Sequence, residues 1–184
     1  MRIISGKNKG KHLIAPAKLP VRPTTDFAKE ALFNILNNHY YFDEISVLDL
    51  FSGTGNISYE FASRGCENII SVDNHKGCVQ FITKTAQELD YSIIALKSDV
   101  YDYLKRTTQK FDVIFADPPY DFTQEKFTEI IRLVFENELL TEEGVLIIEH
   151  SKHTALDENI YFSYDKKYGG NMFSFFELNN SENQ

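Results

Sequence analysis

From residue 46 onward, short runs rich in Val, Ile and Phe recur at 46–51, 68–73, 92–97, 111–116 and 144–149. Helix-compatible stretches separate them at 56–64, 75–89, 99–107 and 124–137. Strands of near-continuous apolar character must be covered on both faces, and the intervening helices supply that cover. The alternation predicts an open, doubly wound α/β sheet, mostly parallel. Two further β-like runs, 158–164 and 171–178, flank Lys166-Lys167-Tyr168-Gly169-Gly170 and predict an antiparallel pair at the sheet's edge.

The segment before residue 46 is of another kind. β-like runs at 2–5 and 11–15 surround Gly6-Lys7-Asn8-Lys9-Gly10, a hairpin pattern, and Pro16, Pro20 and Pro23 then keep the chain extended. Thr25 or Asp26 is expected to cap a helix with Phe27, Ala31, Leu32, Ile35 and Leu36 on one face. A length of 184 residues suits one main domain. The expected organisation is a basic extension at 1–42, the α/β domain at 43–178 and a disordered tail at 179–184.

Charge is divided unevenly. Residues 1–25 carry Arg2, Lys7, Lys9, Lys11, Lys18 and Arg22 and no acid, so with a net charge of −8 the remaining 159 residues carry −14. A basic arm on an acidic body suits a polyanion touched at one end. No apolar run approaches the length of a membrane span, and the opening residues contain no apolar signal-peptide core, so a soluble, cytoplasmic protein is expected. Cys66 and Cys78 have no CxxC spacing, and His12, His39, His75, His150 and His153 form no ligand set, so no metal is expected. The histidines are read as surface residues, Cys78 as packing, and Tyr161, Phe162, Tyr164, Phe173, Phe175 and Phe176 mainly as core.

Acidic and glycine residues gather where such a sheet places its ligands. The first strand leads into Asp49-Leu50-Phe51-Ser52-Gly53-Thr54-Gly55, whose glycines permit a tight turn and close approach of backbone to a ligand. Asp73 ends the next strand, where a carboxylate can accept both hydroxyls of a ribose. A dinucleotide fingerprint would place a third glycine where Ser58 stands, and Asp49 would repel a pyrophosphate but suit a ligand bearing an amino group and a sulfonium. After the third strand, Asp99 can accept from an adenine amino group while Val100 packs the ring. The set Asp49, Gly53, Gly55, Asp73 and Asp99 resembles the S-adenosylmethionine site of class I methyltransferases.

Asp117-Pro118-Pro119-Tyr120, directly after the fourth strand, resembles the (D/N)PPY motif of amino-methyltransferases. An exocyclic purine amine is conjugated and therefore a poor nucleophile. A carboxylate and a proline carbonyl accepting its N–H bonds would hold it toward a methyl donor and favour the charge developing on nitrogen. Two prolines fix φ and remove donors, and Tyr120 offers a face on which a base can stack.

Nearly the whole chain is similar to the bacterial 16S rRNA guanine-N2 methyltransferases of the RsmD type. The similarity runs from Met1-Arg2-Ile3-Ile4-Ser5-Gly6 through Arg22-Pro23-Thr24-Thr25-Asp26, Glu30-Ala31-Leu32-Phe33-Asn34, the glycine loop with Glu60 and Asp117-Pro118-Pro119-Tyr120 to Glu149-His150-Ser151-Lys152. Ser58, and Gly170-Asn171 before the last strand, depart from the usual pattern. The resemblance implies a Rossmann-like class I methyltransferase fold with a seven-stranded sheet and an antiparallel edge strand. It also implies methylation of one guanine N2 of 16S rRNA in the 30S subunit; a monomer is the default expectation. Asp117, Pro118, Pro119 and Tyr120 would be catalytic. Asp49, Phe51, Gly53, Thr54, Gly55, Asp73, Asn74, Asp99, Val100 and Asp117 would hold S-adenosylmethionine. Arg2, Lys7, Lys9, Lys11, Arg22, Thr24 and Thr25 would meet RNA. The rival readings are a DNA-adenine or protein-glutamine methyltransferase, a nicotinamide-dependent oxidoreductase and a non-enzymatic assembly factor.

Overall fold

A computed structural model describes residues 1–178; the tail expected to be disordered, 179–184, lies outside the described residues. The strands are β1 (Ser46–Leu50), β2 (Asn68–Asp73), β3 (Ile93–Lys97), β4 (Phe111–Ala116), β5 (Leu140–Ser151), β6 (Phe162–Tyr168) and β7 (Asn171–Glu177). The helices are α1 (Asp26–Asn37), α2 (Asn56–Ser63), α3 (Lys76–Leu89), α4 (Val100–Arg106) and α5 (Gln124–Glu136). The strands form one sheet in the order β3-β2-β1-β4-β5-β7-β6. The first five run parallel, and β7 enters antiparallel between β5 and β6. This is the mostly parallel seven-stranded sheet with an antiparallel edge that the resemblance implies.

Strand alternation sorts the core into two layers. Leu48 and Leu50 of β1, Ile114 and Ala116 of β4 and Leu146 and Ile148 of β5 pack with α4 and α5. Val47, Val113, Phe115, Val145 and Ile147 pack with α1 and α2 on the other face. With both faces covered, the central strands have no polar side to show, which is why they read as continuous apolar runs. The parallel register pairs Leu50 with Ala116 and Ala116 with Ile148, aligning the carboxyl ends of β1, β4 and β5.

Several elements differ from the sequence reading. The N-terminal runs meet through one antiparallel bridge, Arg2 with His12, supported by Ile3 N–H to Lys11 O at 2.9 Å and Leu13 N–H to Met1 O at 2.9 Å. Thr25 caps α1, accepting from Ala28 N–H at 3.2 Å. The buried face of α1 is Ala28, Lys29, Leu32, Phe33 and Leu36, whereas Phe27 is exposed. The expected stripe was rotated because a buried lysine breaks the apolar pattern. β5 begins at Leu140 and runs through His150, so that histidine is not a surface residue. It is buried, with Nε2 2.7 Å from Ser174 Oγ on β7, and burial lowers its pKa. The run expected at 158–164 becomes a strand only from Phe162, with the turn at Gly169-Gly170.

Of the aromatic cluster, Phe173, Phe175 and Phe176 are buried, while Tyr161, Phe162 and Tyr164 are partly buried against them. Cys78 is buried in α3. No helix among the described residues is long and apolar enough to cross a membrane.

Candidate active site

The carboxyl ends of the parallel strands collect the chemistry. After β1 the chain turns sharply: Phe51 and Gly53 have φ of 55° and 53°, and Gly55, before α2, has φ of 86°. Gly53 N–H donates to Asp73 Oδ2 at 2.8 Å, and His75 N–H donates to Asp73 Oδ1 at 2.8 Å, so the β2 carboxylate is oriented by two backbone donors. Each oxygen keeps a further acceptor position. The Phe51 ring meets Phe122 edge-on with centroids 5.3 Å apart.

Asp49 is buried beneath this loop. Ser58 Oγ donates to its Oδ2 at 2.6 Å and lies 2.6 Å from Ser71 Oγ. A glycine at 58 could not make this bridge, which explains in this chain the residue that departs from a dinucleotide fingerprint. Desolvation lifts the Asp49 carboxyl to about 7, against the pull of the Ser58 bonds.

Asp117 follows β4, its N–H bonded to Leu50 O at 3.3 Å. Pro118 is buried, and the Pro119 carbonyl accepts from Phe122 N–H at 3.0 Å, closing the turn. Tyr120 stands 98% exposed, its ring free to receive a partner. Burial, then Glu149, then Asp49 push the Asp117 carboxyl well above the ordinary range. Glu149, at the end of β5, is likewise raised by burial, opposed by hydrogen bonds from Thr24 and Asn171. Asp49, Asp117 and Glu149 occupy one face of three adjacent strands, and none is in an ion pair among the described residues. Such a row of carboxylates, with Asp49 and Glu149 buried and Asp117 partly buried, calls for a cationic or N–H-rich ligand.

A strap crosses these strand ends. Leu19 packs toward Gly77 and Val21 lies over Gly53, 3.1 Å from where a β-carbon there would stand. Thr24 Oγ1 donates to Glu149 Oε2 at 2.7 Å, and Asn56 Nδ2 donates to Thr24 O at 3.0 Å.

The sequence-derived set is thus divided. Asp49, Phe51, Gly53, Gly55, Asp73 and Asp117 converge on the ends of β1, β2 and β4, and Asn74 is exposed beside Asp73. Asp99 caps α4 by accepting from Asp102 N–H at 3.1 Å and is exposed. Val100 and Thr54 are buried, and Val100 packs into the core instead of offering a face to a ring, because α4 begins there. Among the residues expected at RNA, Lys7, Lys9, Lys11 and Arg22 are exposed, and Arg2 Nε bonds Asp26 Oδ2 at 3.0 Å. Thr24 and Thr25 are used differently: Thr24 is buried on Glu149 and Thr25 caps α1. The sequence reading missed Glu149, Asn56 and Asn171. An acid at the end of the fifth apolar run, the signal that picked out Asp49 and Asp117, would have found Glu149.

The chain matches the family model described as conserved hypothetical protein 95 over residues 1–177. YlbH of Bacillus subtilis is 35% identical over 165 residues, 87% of this chain and 88% of that protein. Ribosomal RNA small subunit methyltransferase D of Haemophilus influenzae is 30% identical over 161 residues, 85% of this chain and 81% of its own. Among solved structures, yhhF of Escherichia coli superposes with a TM-score of 0.82 at 24% identity, covering 96% of each chain. The Thermus thermophilus 16S rRNA N2 G1207 methyltransferase, solved with S-adenosylmethionine and guanosine, superposes with a TM-score of 0.67 at 22% identity. That alignment covers 86% of this chain and 45% of that one.

Proposed function

The chain belongs to the conserved hypothetical protein 95 family, the RsmD-type rRNA methyltransferases, and from that premise we propose that it methylates the exocyclic N2 amine of one guanine in 16S rRNA. The donor is S-adenosylmethionine, the substrate the assembled or assembling 30S subunit, and the enzyme acts in the cytoplasm as a monomer. The observation that carries this reading is the row Asp49, Asp117 and Glu149 beside the Asp117-Pro118-Pro119-Tyr120 turn.

The residues present fit the cofactor. Buried carboxylates without a cation suit a sulfonium and an ammonium, and Asp73 retains acceptor positions for ribose hydroxyls. Asp49 and Asp117 would face the charged end, Asp73 the ribose, and Asp99 the adenine amine. When bound, the cofactor supplies a methyl group on a cationic sulfur, an electrophile that needs no metal.

Asp117 and the Pro118 carbonyl accept the two N–H bonds of the amine and hold its lone pair toward the methyl group. The positive charge that would develop on nitrogen during methyl transfer would be met by the Asp117 carboxylate. A carboxyl whose proton affinity is raised by burial and by Glu149 is suited to take up the released proton. Tyr120 stacks on the base once it has left its own stack. The exposed Lys7, Lys9, Lys11 and Arg22 meet phosphates.

The test is transfer from methyl-labelled S-adenosylmethionine to unmethylated 30S subunits, naked 16S rRNA, 50S subunits and DNA in parallel, with mass spectrometry of the digested product. N2-methylguanosine from 30S particles is expected. Another modified nucleoside, or label only in DNA or protein, would overturn the reading.

A further inference from the structure

Asp117 has a neighbour of the same chemistry. β4 and β5 pair through Ala116 and Ile148, so the next residues, Asp117 and Glu149, stand side by side. Val113 and Phe115 share one core layer with Val145 and Ile147, so alternation turns Asp117 and Glu149 to that same face. Glu149 is clamped from two distant elements. Thr24 Oγ1, in the strap, donates to Oε2 at 2.7 Å, and Asn171 Nδ2, on β7, donates to Oε1 at 2.7 Å. Two bonds fix the carboxylate's orientation and leave each oxygen an acceptor position. Placing a second carboxylate next to Asp117 is electrostatically costly, and nothing in holding the strap requires a charge there, since a glutamine could accept from Asn171 through its oxygen and donate to Thr24 Oγ1 through its amide.

A guanine whose N2 amine lies on Asp117 presents a second donor, N1–H, immediately beside it. Two adjacent acceptors match two adjacent donors. We infer that Glu149 accepts the N1–H of the target base and thereby selects guanine. The inference rests on the guanine-N2 reading above and deepens it by naming the residue that reads the base. Adenine and cytosine place a ring-nitrogen lone pair beside their exocyclic amine, and a carboxylate facing that lone pair repels it. A site built to bond an N–H rejects analogues that lack it far more strongly than a hydrophobic pocket rejects a missing methylene.

2-Aminopurine isolates this contact: it keeps the N2 amine but carries a lone pair at N1. The experiment uses 30S particles reconstituted with 16S rRNA bearing guanine or 2-aminopurine at the position mapped by the labelling experiment, and measures single-turnover methyl transfer. The wild-type protein is expected to prefer guanine by about 100-fold or more. In Glu149→Gln the amide can donate to Thr24 Oγ1 and to N1 of 2-aminopurine, so the preference should narrow by about tenfold or more. Because 2-aminopurine also lacks O6, this narrowing is the decisive sign.

Equal loss on both templates would overturn the inference and leave Glu149 as an anchor for the strap. A wild-type protein indifferent to the substitution would overturn it too, and that measurement needs no variant to fold. Absence of N2-methylguanosine on unsubstituted particles is a failure of the functional reading, visible before any analogue is used.

Discussion

Lys29 and Glu60 form an ion pair sealed from solvent, with Nζ 3.5 Å from Oε2 and side chains 1% and 0% exposed. The same Nζ donates to Arg2 O and to Asn56 Oδ1 at 2.8 Å. Glu60 in turn accepts from Ile4 N–H at 2.9 Å, from Ser5 N–H at 3.0 Å and from Arg64 Nε at 2.9 Å. One buried carboxylate therefore fastens the N-terminal arm, α1 and α2 together. Burial lowers the Lys29 pKa, and Glu60 is the nearest charge opposing that shift.

Glu60→Ala strands the Lys29 ammonium and removes the acceptor of two arm amides. A loss of about 3–5 kcal/mol in urea unfolding is expected, since breaking a buried pair leaves an uncompensated charge. A loss below about 1 kcal/mol would show that Asn56 and Arg2 O suffice to hold Lys29.

Gly6 has φ of +84°, and a β-carbon there would lie 1.8 Å from Ser63 O. Ser63 also binds the arm through Lys7 N–H to its carbonyl at 2.7 Å and Asn8 N–H to its hydroxyl at 3.0 Å. Gly6→Ala should lift the arm from α2, costing about 1–3 kcal/mol and exposing residues 1–15 to limited proteolysis, with the sheet intact by circular dichroism. An unchanged cleavage pattern would mean that the arm is held elsewhere.

Replacing Lys7, Lys9 and Lys11 together by Ala should weaken binding to the 30S subunit and reduce the slope of log K against log salt. Each lost phosphate contact accounts for about 0.7–0.9 of slope. An unaltered slope would remove the arm from the RNA interface.

The Asp49 carboxyl rises from 3.8 to about 7 on folding. Across that interval the unfolded chain has released a proton that the folded chain keeps, so the Asp49 contribution lowers stability as pH rises from about 4 to about 7. Asp49→Asn removes this dependence. Relative to the variant, the wild type should lose about 2–4 kcal/mol over that range in urea titrations at successive pH values. Parallel curves for the two proteins would refute the burial of a titrating Asp49.

Asp117→Ala should reduce single-turnover methyl transfer by about 100-fold or more while leaving S-adenosylmethionine affinity within a few fold. Lost cofactor binding with unchanged chemistry in the bound complex would reassign Asp117 to the cofactor alone.

Local signals made much of this molecule legible in advance. Apolar runs flanked by helix-compatible stretches mark β1 to β5 because a strand covered on both faces has no polar side. The glycine turn, Asp73 and the Asp117 turn are likewise readable, since a positive φ, a strand-end carboxylate and paired prolines are properties of a few consecutive residues. Where a partner lay far along the chain, the reading failed. Nothing in the local pattern marks Lys29 for burial, because periodicity registers only polarity and its burial depends on Glu60. His150 reads as a surface residue because its partner Ser174, 24 residues later, lies on another strand.

The layer architecture and the acidic, glycine and proline residues at the strand ends were already written in the chain, since both follow from local pattern and side-chain type. Which carboxylates share a face came from the folded sheet alone. Folding also turned Thr24 from a candidate RNA contact into the clamp of Glu149, 125 residues away. Those outcomes depend on strand order and register, which bring together groups whose separation along the chain carries no mark of their meeting.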